Sequence, residues 1–141
     1  MMVTDSCPEC HAGDLDLSNG AWDKITGNAG PSRFKATWKY VECPQSFMMK
    51  EDFEFFIKEG SSRWWFAVMP LNHRTKMKSV EVKKNGSWEK MEFGKIDSFY
   101  WLSTKLDSAF DLRFTLLNGK FIIHKVTNPQ GNQFVNTGKS F

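Results

Sequence analysis

Between residues 53 and 126 one pattern keeps returning: a short run of alternating large apolar and polar residues, then a turn signal, then another run. Phe53-Glu54-Phe55-Phe56-Ile57 is the first run and Trp64 to Met69 the second. Val80-Glu81-Val82 and Trp88 to Phe93 flank Asn85-Gly86, a dipeptide that accepts the positive φ angles of a tight hairpin. Phe99 to Leu102 and Phe110 to Leu116 follow, and a second Asn-Gly pair, Asn118-Gly119, leads into Phe121 to Val126. Alternation places successive side chains on opposite faces, so each run has one face for a core and one for solvent. About seven such strands, with turns roughly every eight to twelve residues and no helix-period stretch between them, predict an all-β fold: an immunoglobulin-like β-sandwich.

The front of the chain reads differently, and a boundary is expected near Cys43-Pro44-Gln45. Residues 1–43 form one expected domain and 44–141 the other. In the first, Ala21-Trp22-Asp23-Lys24-Ile25 reads as a short helix, with Ser18 or Asn19 to cap it and Gly27 to end it. Arg33 to Val41 alternates as a half-buried strand does. So few elements in about forty residues cannot close a core by themselves.

Charge and composition narrow the function classes. The net charge of +3 is mild but uneven: residues 1–43 carry four Lys and Arg against six acids, whereas residues 44–141 carry fifteen against ten. A basic second part is drawn to acidic polymers such as pectin-like polysaccharide, nucleic acid or anionic lipid, or is simply a solvated surface. No apolar run approaches a membrane span, and no cofactor motif is present. No signal-peptide pattern precedes the first structured segment, and Cys7 follows the opening Met1-Met2-Val3-Thr4-Asp5 so closely that the chain reads as cut in the middle of something. With 13 Phe and 6 Trp in 141 residues, some rings are available for work other than core packing.

Trp64-Trp65 is the leading candidate for such work. Alternation alone puts one ring in the core and the other outside. A loop precedes them, however (Lys58 to Arg63), and at the start of a strand both rings can lie at the surface. Flat rings stack on the apolar C–H faces of sugars much as they do on bases. Asp5, Glu9, Asp14 and Asp16 cluster as glycosidase carboxylates could, or as a solvated loop does. Cys7 and Cys10 form a C-x-x-C with neither a second such pair nor a βαβ context, so zinc and thiol redox chemistry are disfavoured. A structural disulfide is the better reading, with Cys7 or Cys10 joined to Cys43 or to a residue outside the chain.

Taken together, these segments resemble the expansins, in particular the microbial expansin-like proteins. The resemblance rests on Val3-Thr4-Asp5 with Cys7-Pro8-Glu9, on Gly13 to Ser18, on Ala21 to Ile25, and most specifically on Ile57 to Trp65. Asn72-His73, the Asn85-Gly86 hairpin with Trp88, and Leu102-Ser103-Thr104 also fit. It covers nearly the whole chain from Val3 to about Val126. It implies two domains, a double-psi β-barrel followed by a carbohydrate-binding β-sandwich, in a secreted protein that loosens cell walls without hydrolysis. Residues 1–43 would then be the later, incomplete part of the barrel, and cellulose the chief partner. No enzyme activity, cofactor, metal, nucleic acid or membrane is implied. By resemblance Trp64 and Trp65 belong to a row of cellulose-gripping aromatics. The third member is Tyr100, which alternation turns outward if Trp101 faces the core, with Phe99 as runner-up. Asp5 and Asp16 match the two family-site acids of the barrel. The second carboxylate that inverting hydrolysis requires is absent from the family, so these acids are not read as catalytic.

Three other readings compete: a weak glycoside hydrolase or transglycosylase using Asp5 and Asp16, an immunoglobulin-like protein-interaction module, and nucleic-acid binding through the basic face. The last has no motif to support it.

Overall fold

The computed structural model describes residues 7–44, 46, 50–94 and 100–141. These divide into two compact units, one running to Tyr40 and the other from Val41 to Phe141.

In the first unit a single helix, α1 (Asn19–Thr26), follows Ser18 and stops at Gly27, whose φ of 70° is the left-handed cap that glycine accepts without strain. Trp22 anchors this region: its indole N–H donates to the Ala29 carbonyl at 2.7 Å and its ring lies 5.4 Å from that of Phe34. The strand expected over Arg33 to Val41 does not form. The segment alternates as a strand should, but no ladder partner stands beside it among the described residues, and alternation without a neighbouring backbone leaves nothing to pair with. Phe34, Tyr40 and Val41 are exposed as a result.

The second unit is a two-layer β-sandwich. One sheet has the order β5-β6-β2-β1-β9 and the other β4-β3-β7-β8, all neighbours antiparallel. The strands are β1 (Glu54–Ile57), β2 (Trp65–Leu71), β3 (Met77–Lys84), β4 (Ser87–Lys90), β5 (Glu92–Phe93), β6 (Trp101–Thr104), β7 (Phe110–Leu116), β8 (Phe121–Val126) and β9 (Gln133–Asn136). Both Asn-Gly pairs sit at turns, between β3 and β4 and between β7 and β8, with Asn85 and Gly86 at φ 49° and 81°. The run from Trp88 to Phe93, which reads as one strand, is two. Its first half pairs with β3 and its second with β6, and Met91, fully buried, marks the crossing between sheets.

Phenylalanines fill the space between the layers. Phe53, just before β1, and Phe55 of the first sheet meet Phe114 of the second at 4.8 and 5.1 Å between ring centres, and Phe66 meets Phe110 at 4.9 Å. Each ring so buried contributes about 1.5–3 kcal/mol. Pro70, inside β2, is tolerated because β6 pairs only with residues 65–68; beyond that point β2 has β1 as its one partner. The inward set Phe66, Val68 and Pro70 fixes the opposite parity, Trp65, Ala67, Met69 and Leu71, on the outer surface of the first sheet.

Candidate functional site

That outer surface is built around the turn from β1 to β2. Gly60 takes φ 80°, and the buried Ser61 hydroxyl bonds both the N–H (3.2 Å) and the carbonyl (3.4 Å) of Ala67. Ser62 N–H donates to the Trp65 carbonyl at 2.8 Å. From the other side, Leu106 N–H donates to the Arg63 carbonyl at 2.7 Å and Lys105 N–H to that of Trp64 at 3.3 Å. Gly131 presses on the same turn; a Cβ there would collide with the Lys58 carbonyl. Arg63 and Trp64 are therefore held on a fixed backbone while their side chains stand in solvent.

Trp64 is 63% exposed. Trp65 is half-buried on the outer face, so neither ring enters the core. The turn releases Trp64 from the alternation that would otherwise bury it. Tyr100, immediately before β6, is half-buried and adjoins the inward-facing Trp101. Phe99 lies outside the described residues.

Two cations that sequence reasoning did not single out join these rings. Lys58 Nζ sits 4.5 Å from the centre of the Tyr100 ring, and the Arg63 guanidinium 4.5 Å from that of Trp64. Neither has an acidic partner among the described residues. The signal available in the sequence was position: Lys58 shares the parity of Phe56 on β1, and Arg63 adjoins the tryptophan pair. The arrangement is a surface face of rings, two of them under a cation that no acid among the described residues holds, suited to a flat ligand rather than to an enclosed small molecule. A cleft of about 360 Å³ lined by Arg74, Lys120 and Phe141 lies elsewhere and holds none of these rings.

No family model matches the chain. It is 38% identical over 121 residues to Expansin-YoaJ of Bacillus subtilis, covering 85% of this chain and 49% of that protein. It is 28% identical over 154 residues to Expansin-like protein 6 of Dictyostelium discoideum, covering 100% of this chain and 50% of that one. The chain belongs to the expansin-like family. It spans about half the length of the curated relatives it matches. A crystal structure of a mutant Clavibacter michiganensis expansin in complex with cellohexaose shares the fold at a TM-score of 0.58 and 21% identity, over 71% of this chain and 48% of that one.

The remaining site residues of this expansin-like chain fall in its first unit. Asp16 is exposed on the loop before α1, and Asp5 lies outside the described residues. Asp14 accepts a backbone bond from His11 at 3.2 Å. No group of His, Cys, Asp or Glu that could hold a metal occurs among the described residues, and no helix there is long and apolar enough to cross a membrane.

The cysteine pairing differs from expectation. Cys7 and Cys10 are joined to each other, and Cys43 is free. The turn over residues 7–10, closed by Cys10 N–H donating to the Cys7 carbonyl at 3.2 Å, brings the two Cα atoms to 5.4 Å, an ordinary disulfide separation. Cys43 belongs to the second unit, where its N–H donates to the Arg74 carbonyl and its own carbonyl accepts from Arg74 Nε, both at 2.8 Å.

Proposed function

We propose that this chain binds plant-type cell-wall polysaccharide, cellulose first, by stacking sugar rings on Trp64, Trp65 and Tyr100, and that it does so without hydrolysis. The observation that carries this reading is the outward placement of the tryptophan pair on a turn pinned from both sides. A glucan chain presents alternating apolar faces, and surface rings take up those faces while water keeps the hydroxyls. Holding the rings in advance on rigid backbone lowers the ordering cost of binding. The relationship to an expansin that is seen with cellohexaose is a further support.

Lys58 and Arg63 extend the reading to acidic matrix polysaccharides, for which a cation beside the ring adds attraction. Wall loosening, and an extracellular location to match, belong to the same proposal through the family. Under it Asp5 and Asp16 are retained acids without a partner carboxylate, and residues 1–43 are the later part of a barrel domain preceding the sandwich.

The test is a pull-down on microcrystalline cellulose with the wild-type chain and the double variant Trp64→Ala, Trp65→Ala, alongside a reducing-sugar assay. Binding lost with the fold intact, and no sugar released by either protein, is the expected result. Equal binding by both proteins refutes the stacking site. Sugar release abolished by Asp16→Asn refutes the non-hydrolytic reading.

A further inference from the structure

The outer surface of the first sheet does not end at Tyr100. The pairing of the strands sets Met69 of β2 opposite Phe56 of β1, and Phe56 opposite Phe134 of β9. All three share the parity that faces away from the core, because Phe55, Ile57, Val68 and Pro70 are the buried partners. They form a row running across the strands to the edge of the sheet. Trp65 stands on β2 four residues from Met69, about 13 Å along the strand, and Phe134 two strand spacings, about 10 Å, to the side of Met69.

Phe134 is 68% exposed, more than Trp64, and its ring centre lies 4.8 Å from that of Phe56 with the planes tilted by 51°. An exposed phenylalanine on an edge strand is a liability for edge-to-edge association, so its presence calls for a reason. The surroundings point away from an apolar partner. Asn136, two residues on and of the same parity, donates its amide to Glu54 at 3.3 Å, and Glu54 is ion-paired with Lys50 at 2.8 Å. On the other flank of Phe56, two residues on and just past the end of β1, stands Lys58, whose ammonium lies over Tyr100. A flat ring bordered by amide and ammonium groups, with the Glu54 carboxylate buried behind the amide, suits a ligand with an apolar face and a hydroxylated rim. That is a sugar ring, and the face is continuous with the one that carries the tryptophans.

We infer that Phe134, supported by Phe56, is a further stacking platform of this face, so that a β-1,4-glucan chain long enough to run from the tryptophans diagonally across β1 reaches β9. This rests on the glucan-binding reading of Trp64 and Trp65, which it lengthens. Its consequence is a dependence on ligand length: short cello-oligosaccharides are held by the tryptophans and tyrosine alone, and longer ones gain the Phe134 ring.

The test is titration calorimetry of the full chain with cellotriose and cellohexaose, using Phe134→Ala, Phe134→Trp and the double variant Trp64→Ala, Trp65→Ala. Because the ring is largely exposed, near-UV circular dichroism should report an unchanged fold in both Phe134 variants. For cellohexaose, Phe134→Ala is expected to bind about tenfold more weakly, the loss of one stacking ring, while Phe134→Trp binds at least as well as wild type. Cellotriose binding should be the same in all three proteins. If Phe134→Ala matches wild type with cellohexaose while the tryptophan double variant loses binding, the platform is overturned and the tryptophan face stands. If the wild-type chain binds neither oligosaccharide, both readings fall. A concentration-dependent dimer abolished by Phe134→Ala, with cellohexaose affinity unchanged, would assign the ring to self-association and overturn the platform.

Discussion

The two outer surfaces of the sandwich each carry a tryptophan beneath a cation, yet the two cations are held differently. On the second sheet the Arg113 guanidinium lies 4.5 Å from the centre of Trp88 and Lys83 lies 5.9 Å from it. Glu81 clamps Arg113 through two bonds of 2.8 and 2.7 Å, so the guanidinium is fixed and roofs the ring. On the first sheet Arg63 lies 4.5 Å over Trp64 with no carboxylate to hold it among the described residues. Its side chain can swing aside or reach a ligand hydroxyl at little cost. A tryptophan with a cation above it is a cross-strand brace where an acid fixes the cation, and stays open to a ligand where none does, as the proposal for Trp64 requires.

The contrast can be broken most sharply by exchanging its tryptophans. Trp64→Ala should lower the affinity for cellulose by about 1–3 kcal/mol while changing stability by less than about 0.5 kcal/mol. Adsorption isotherms and thermal melts measure the two quantities. Trp88→Ala should do the reverse, leaving cellulose adsorption unchanged and destabilising the fold by about 1 kcal/mol through loss of the ring and its roof. Adsorption lost in the Trp88 variant would erase the distinction between the faces.

A smaller effect comes from the histidines. Burial holds the pKa of His73 below the ordinary 6.5, against the raising influence of its bonds to the Thr75 and Pro70 carbonyls; burial and then the Lys139 charge do the same to His124. The unfolded chain therefore binds these protons at a higher pH than the folded one does. Stability is full above about 6.5 and should fall as the pH drops from there towards the lowered folded values. Melting temperature against pH, in wild type and His73→Gln, would show the dependence and its partial removal.

The smallest expected change is at the clamp itself. Glu81→Gln should cost about 0.5–1 kcal/mol near neutral pH, since the pair is partly solvated. The bond from Arg113 lowers the Glu81 pKa below its ordinary 4.5, so this contribution is present above that pH and is lost as the pH falls through the lowered value. Urea melts of both proteins at neutral and acid pH should converge at the acid end. If cellulose adsorption fell in Glu81→Gln, the second sheet would have to be counted as part of the binding surface.

Much of the sandwich was legible because its signals are local. Alternation around Phe55, Val80, Leu112 and Ile122 marks inward positions without reference to any partner strand, and the two Asn-Gly pairs state where the chain reverses. β9 was not legible. Gln133-Phe134-Val135-Asn136 has little apolar alternation and becomes a strand only because β1 offers it a free edge. The split at Met91 was invisible for a related reason: one unbroken run of residues serves two sheets, and nothing local says where it changes partner. Arg33 to Val41 errs in the other direction, with the pattern of a strand and no neighbour among the described residues to make it one.

By itself, then, the sequence determined that the chain is rich in short strands, where two of its hairpins turn, and that a tryptophan pair, Trp64-Trp65, follows a loop at the start of one strand. These depend on the chemistry of each residue and its near neighbours. Tertiary structure decided which rings are free. Only the pairing of β1 with β9 brings Phe134 beside Phe56, and only the approach of β3 to β7 sets Glu81 against Arg113 over Trp88. Residues separated by dozens of positions share a face because backbone hydrogen bonds fix the register, and register is a property of two strands together.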